Sequence, residues 1–211
     1  MSGNDLKRWK YEVQIGFHTS YSSYLDAYHR AVDILFAQIE EKDLPANVVS
    51  YPLLYLVRHS LELGYKLNIN QLSKYSLLGD EMNWVNWKGK RLHQLRELHK
   101  AFRLHFAAVV KELHIPNDIA DEFKKRCKDL ESLMRAFDDI DRGSFSFRYP
   151  EDTKQRIIFK HNETVNLLNV KILYDQAMIL LSYTDDVLSD FTDHVDHMKE
   201  LMEDELRANY D

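Results

Sequence analysis

Apolar residues return every three or four positions through most of this chain, the interval that lays one buried stripe along an α-helix. From Ser20 to Lys42 the stripe is Tyr24, Tyr28, Ala31, Leu35 and Ile39, with Ser20 or Ser22 placed to cap the first turn. A second helix is expected from Pro52, whose missing N–H suits a first turn, to about Tyr75. Its first half is apolar nearly all round (Leu53, Leu54, Tyr55, Leu56, Val57, Leu61, Leu63, Tyr65, Leu67), which predicts a central, buried helix. A third helix is expected from about Leu92 to Leu113. A fourth should start at Asn117 or Asp118 as cap and run to Ile140, with Arg142-Gly143 as its stop. The last pattern runs from Asn162 to about Glu205 through Leu167, Leu168, Ile172, Leu173, Ala177, Leu180 and Leu181, with a break expected near Ser182 to Thr184. Between these segments, Leu78 to Arg91 reads as a loop whose Trp84 and Trp87 pack down as a lid. Gly143 to Lys160 reads as non-helical around Pro150, with Ile157, Ile158 and Phe159 extended and buried.

These elements predict an all-α antiparallel bundle of four to five helices ending in a long C-terminal helix. The expected organisation is an N-terminal extension over 1–19, the bundle over 20–182 and an acidic helical extension over 183–211. Composition agrees: among 211 residues, 45% are hydrophobic, while 6 Gly and 4 Pro are too few for the turns of an all-β chain. Met1 to Lys10 is polar, unlike a secretory signal, and no stretch approaches the roughly 20 apolar residues that span a bilayer, so a cytoplasmic location with no membrane contact is expected. The single cysteine, Cys127, excludes an intrachain disulfide; although Lys125, Arg126 and Lys128 flank it, a passive thiol is expected.

A net charge of −6 excludes a chain coated in positive charge, but the cations are unevenly placed. Lys88, Lys90, Arg91, Arg96, Lys100 and Arg103 lie close in sequence, and Arg96, Lys100 and Arg103 share a helical stripe. Such a stripe either holds a phosphate backbone in a salt-dependent way or is a solvated face. His93, His99 and His105 repeat every six residues, about 240° on a helix, and so do not converge on a metal. Asp190, Asp193, His194, Asp196 and His197 share a face but sit in densely acidic surroundings that read as a solvated helix. No metal and no cofactor is expected, and the chain carries no glycine-rich phosphate loop, nucleophile elbow or zinc-type cysteine array.

The apolar second helix carries a polar stripe of Arg58, His59, Glu62 and Lys66, all on one helical face. Buried charges cost several kcal/mol, as an order of magnitude, unless they are paired or used. An Arg–Glu–Lys ladder partly satisfies itself through i,i+4 pairs, leaving Arg58 and His59 for a partner. The alternative is an exposed bundle edge with ordinary ion pairs.

The segment from Tyr55 to Leu67, with Glu62 and Lys66 four apart, resembles the second helix of HEPN domains. His93-Gln-Leu-Arg-Glu-Leu98 is similar to the opening of that family's third helix, and Phe147-Arg148-Tyr149-Pro150-Glu151-Asp152 to its Arg-Tyr-Pro-Asp loop. The likeness covers roughly Ser20 to Ser182, with the three motifs in the family's order. It implies a HEPN-like bundle that forms a homodimer through its motif face. It also implies RNA or a nucleotide as ligand, or else a partner protein, and a setting in toxin–antitoxin or antiviral defence. Many members cleave RNA without metal, using an arginine followed four to six residues later by histidine. Arg156 and His161 have that spacing here, although Ile157 stands where the family usually has a polar residue and the pair falls before or at the helix start.

Metal-free RNA cleavage requires a base near the 2′-hydroxyl and a cation for the developing phosphate charge. His59, His93 and Arg148 form a second candidate set for those roles. The binding candidates are Arg58, Glu62, Lys66, Arg148 and Tyr149, with Arg96, Lys100 and Arg103 on the basic stripe. Two readings stay open: a metal-independent endoribonuclease, and a non-catalytic helical module that binds a nucleotide, RNA or a partner protein.

Overall fold

A computed structural model describes residues 11–16, 19–141, 146–152, 154–159 and 164–208. Among these it holds five α-helices: α1 (Tyr21–Lys42), α2 (Ala46–Leu72), α3 (Leu95–Glu112), α4 (Asn117–Ile140) and α5 (Leu167–Ala208). Three 3-10 turns, Asp80–Met82, Trp84–Asn86 and Gly89–His93, fill the link between α2 and α3. No strand occurs among the described residues; Glu151 and Ile157 form an isolated antiparallel bridge. The chain is therefore all-α, as its periodicity predicts.

Ser20 caps α1 by accepting the Ser23 N–H at 3.1 Å. Asp43, at φ 53°, ends α1 in the left-handed conformation, and three residues later α2 begins, so the two helices form a hairpin. α2 starts at Ala46 rather than Pro52, which places the proline in its second turn. The ring removes the N–H that would serve the Val48 carbonyl. Val48 is exposed, so water can take that bond and the helix continues.

α2 is central and packs on α1, α3 and α5. Leu53, Val57, Leu61, Tyr65 and Ile69 are fully buried along it. Gly64 lets α5 approach closely: a β-carbon there would stand 2.8 Å from a Leu181 methyl. Four residues on, the Asn68 amide donates to the carbonyls of Gly64 at 2.9 Å and Leu181 at 2.8 Å, tying the two helices.

Several boundaries differ from expectation for local reasons. α4 opens at Pro116 with no side-chain cap, so neither Asn117 nor Asp118 takes that role. α5 passes through Ser182–Thr184 without a break, because it contains neither glycine nor proline; the Thr184 hydroxyl is satisfied inside the helix, on the Leu180 carbonyl at 2.6 Å. Its 42 residues give a rod of about 63 Å. Ile157 is exposed instead of buried, whereas Phe159 packs partly against the core. The two tryptophans do form a lid: Trp87 is buried, and the Trp84 indole donates to the Lys66 carbonyl and the Asn70 side chain. Cys127 is buried, and burial pushes its thiol up to about 12, which leaves it passive at neutral pH. The Arg142-Gly143 stop lies outside the described residues. No helix among the described residues is long and apolar enough to cross a membrane.

Candidate functional site

On α2, Tyr51, Tyr55, His59, Glu62 and Lys66 fall within about an 80° arc at 100° per residue, and Arg58 lies about 20° beyond. The arc carries rings at its N-terminal end and charges at its C-terminal end. What packs over each half determines what the face can do.

The charged half is built around Glu62. Its carboxylate is 4% exposed, and it accepts from Arg58 at 3.1 Å, from Lys66 Nζ at 2.7 Å and from His93 Nδ1 at 2.8 Å. Burial alone pushes this carboxyl up, but Lys66 and His93 outweigh it and hold the group below the ordinary glutamate value, hence ionised. Arg58 is fully buried; it also pairs with Asp141 at 3.3 Å and donates to the His93 carbonyl. It therefore joins α2 to the end of α4 and to the turn before α3, and is taken up within the fold where the sequence reading left it for a partner. Lys66 is almost as deep, with its ammonium 4.8 Å from the Trp84 ring centre.

His93 differs from its partners. Its side chain is 46% exposed while its Nδ1 rests on a buried carboxylate. An ionised carboxylate accepts, so Nδ1 carries the proton, and in the neutral ring Nε2 then keeps a lone pair that can take a proton from a substrate. The backbone around His93 is fixed from a distance. Gln94 gives α3 no side-chain cap; instead Asp138 of α4 accepts the N–H groups of Leu95 at 2.9 Å and Arg96 at 2.8 Å. Burial raises the Asp138 carboxyl, opposed by those two N–H groups and by nearby Arg58.

The aromatic half lies next to it. His59 stacks on Tyr55 (5.7 Å between centres, 8° between planes) and meets the edge of Tyr28 from α1 at 4.5 Å. Burial lowers the His59 pKa, and the cations Lys66, Arg58 and Arg148 add to that against Glu62, so the ring is neutral at pH 7. Arg148 is exposed, and its guanidinium carbon is 5.7 Å from the ring centres of both Tyr55 and Tyr149. At the other end, Tyr21 of α1 meets the Trp84 ring at 5.6 Å. A face of about 22 Å, taken as the rise from Tyr51 to Lys66, thus carries exposed or half-exposed rings beside the exposed Arg148 guanidinium, with Arg58 and Lys66 buried beneath.

Among the candidates named from sequence, Arg58, His59, Glu62, Lys66, His93, Arg148 and Tyr149 come together here. Arg156 does not: it is exposed in the loop before α5 and its guanidinium is taken up by Asp152. Its companion His161 lies outside the described residues. Arg96, Lys100 and Arg103 are exposed on α3, where Arg96 reaches Asp138 at 4.0 Å and Arg103 pairs with Glu131. His99 and His105 point into the core, His99 against the Tyr65 hydroxyl at 2.9 Å and His105 against Ser76 at 2.6 Å. Among the described residues no group of histidines, cysteines and carboxylates is arranged to hold a metal. Sequence reading missed Asp138 on α4 and Asp141 just past its end, both far along the chain, and did not count Tyr28, Tyr55 and Trp84 as part of the face. Comparison of the chain with known protein families, with characterised proteins and with solved structures finds no match.

Proposed function

We propose that this chain is a HEPN-like, nucleic-acid- or nucleotide-directed helical module that works through the face running from Tyr51 to Lys66. The observation that carries this reading is the stack of Tyr28, His59 and Tyr55 beside Arg148, next to a half-exposed imidazole held by a buried glutamate. Bases stack on rings, and phosphates are drawn to guanidinium, so single-stranded RNA suits such a surface better than a duplex does. A homodimer and a role in defence or toxin–antitoxin biology belong to the same reading through the family likeness.

The Glu62–His93 pair favours a catalytic form of it, a metal-independent endoribonuclease. His93 Nε2 takes the proton of a 2′-hydroxyl, the 2′-oxygen attacks phosphorus as the P–O5′ bond breaks, the 5′-oxygen takes its proton from water, and His93 returns its own to solvent. The products are a 2′,3′-cyclic phosphate and a 5′-hydroxyl end. Arg148 stabilises the charge on the phosphate oxygens.

Fluorescence anisotropy with a labelled single-stranded RNA decamer tests the binding claim, and end-group analysis after incubation in EDTA tests cleavage. Arg148→Ala and His59→Ala should each weaken binding about tenfold without changing the helical circular dichroism, because stacking is worth about 1–3 kcal/mol per base. Wild-type affinity in both variants would transfer the face to the alternative, a scaffold that engages a partner protein. Intact RNA with tight binding would leave a module that binds without cutting.

A further inference from the structure

Beside Arg148 a cavity of about 320 Å³ opens between the start of α2 and the loop that precedes α5. Tyr51, Tyr149, Pro150, Ile157 and Phe159 line it together with Arg148. Its volume is at the small end of ligand pockets, roughly 300–1,000 Å³, which suits one nucleoside rather than a longer segment. Among the described residues two larger cavities suit an anion less well. The one of about 530 Å³ between α3, α4 and α5 sets Asp118 and Glu122 against Arg126, which Glu122 already pairs at 2.9 Å, and the one of about 350 Å³ between α1 and α5 carries Asp33 and Asp175 beside His29. Among the described residues, none that lines the cavity at Arg148 is a carboxylate.

Three features make it a site rather than a surface irregularity. Tyr51 and Tyr149 are each 54% exposed and Ile157 is 79% exposed, so its rim keeps apolar surface in water that a flat ring would cover. Tyr51 already leans on Phe159 at 5.6 Å, and Phe159 stacks on Phe147 at 5.7 Å, so the floor is an aromatic layer continuous with the core. The described residues of the loop wall are bonded to one another. Asp152 accepts the N–H groups of Lys154 at 2.8 Å and Arg156 at 3.0 Å and binds the Arg156 side chain, while the Ile158 N–H closes on the Pro150 carbonyl at 3.1 Å. Those bonds hold the Asp152 carboxyl down at about 2, so it stays ionised and able to accept them at any physiological pH. A wall ordered in advance lowers the cost of binding. This assigns the Asp152–Arg156 pair a purpose that the nuclease spacing does not: it shapes the pocket.

We infer that this cavity is a nucleobase subsite. It holds one base of the bound RNA among Tyr51, Tyr149 and Phe159, while Arg148, which lies against both Tyr149 and Tyr55, joins it to the His59 stack. The ligand class is a nucleoside monophosphate unit, and the inference rests on the RNA-directed reading of the neighbouring face.

The experiment uses the full chain, the labelled RNA decamer, and two competitors, adenosine 5′-monophosphate and ribose 5-phosphate. Wild type should release the decamer to the nucleotide at a concentration about tenfold or more below that needed of the base-free sugar phosphate. Tyr149→Ala and Ile157→Glu should remove that preference, and Tyr149→Phe should keep it. Tyr149 and Ile157 are exposed, so thermal unfolding of these variants should match wild type. If wild type binds the decamer but both competitors act alike, or if Tyr149→Ala and Ile157→Glu retain the preference, the subsite is overturned while the RNA-directed face stands. If wild type fails to bind the decamer at all, the RNA-directed reading falls and the subsite with it.

Discussion

Replacing Glu62 by glutamine keeps the side-chain volume and removes one negative charge from a site that holds two buried cations. The carboxylate accepts from Arg58, Lys66 and His93, at 3.1, 2.7 and 2.8 Å. An amide offers a single oxygen, and its NH2 group would face a donor, Arg58 or Lys66, at hydrogen-bond distance. Arg58 retains Asp141 at 3.3 Å, so the uncompensated charge falls mainly on Lys66, whose side chain is 9% exposed. Breaking a buried ion pair from one side costs about 3–5 kcal/mol. The Trp84 ring at 4.8 Å still attracts the ammonium, which places the expected loss at the lower end, about 3 kcal/mol. Urea unfolding followed by circular dichroism measures it. With a slope of roughly 2–3 kcal/mol/M, the midpoint should fall by about 1 M at unchanged slope. A midpoint within about 0.3 M of wild type corresponds to less than about 1 kcal/mol and would refute the claim that Glu62 balances buried charge.

Two further outcomes follow from buried groups elsewhere. Burial, with Arg103 nearby, lowers the His99 pKa to about 4. Between about pH 6.5 and 4 the unfolded histidine therefore binds a proton that the folded one refuses, and stability rises with pH across that window. On acidification from pH 7 to 4, His99 alone should cost about 3 kcal/mol, with His59 and His105, also lowered by burial, acting in the same direction. A urea midpoint that stays level from pH 7 to 5 would contradict this. Asp138→Ala leaves the Leu95 and Arg96 N–H groups without their acceptor and should cost about 1–2 kcal/mol in the same assay. An unchanged midpoint would show that water caps α3 equally well.

The helices were legible because each writes its own period: the apolar run from Leu53 to Leu67 marked the central helix, and the indole rings in the loop marked a packed lid. Boundaries failed where a local signal was overruled by context. Pro52 reads as a helix start, yet an exposed Val48 carbonyl tolerates the lost bond. Ser182–Thr184 reads as a break, yet the helix there contains neither glycine nor proline and the threonine hydroxyl is satisfied inside it. The polar stripe of α2 was visible as a stripe, and its pairing through Glu62 followed from i,i+4 spacing. That it sits on a buried helix was also expected; the partners that take up Arg58, Asp141 at the end of α4 and the His93 carbonyl, were not legible, because they are many residues away and carry no local mark. The same distance hid Asp138 as the cap of α3. Arg156 with His161 illustrates the converse: the spacing is easily read, but Asp152 beside it gives Arg156 a different occupation.

A buried ion cluster is a poor way to gain stability, since apolar side chains of the same volume commonly do as well or better. Arg58 has an explanation within the fold, because it ties α2 to α4 and to the turn before α3. His93 has none of that kind. Arg58 reaches its backbone carbonyl, not its ring, and that contact survives loss of the ring. Its ring is nearly half in water, and Glu62 keeps Arg58 and Lys66 without it. A half-exposed imidazole on a buried carboxylate therefore adds little to folding, but its orientation and tautomer are set. Accordingly, His93→Ala should lower stability by less than about 1 kcal/mol, far short of the Glu62→Gln loss, yet weaken RNA binding about tenfold and abolish any metal-free cleavage. Equal destabilisation by the two substitutions would make His93 one more strut of the cluster, and the face would then lose its chemical centre.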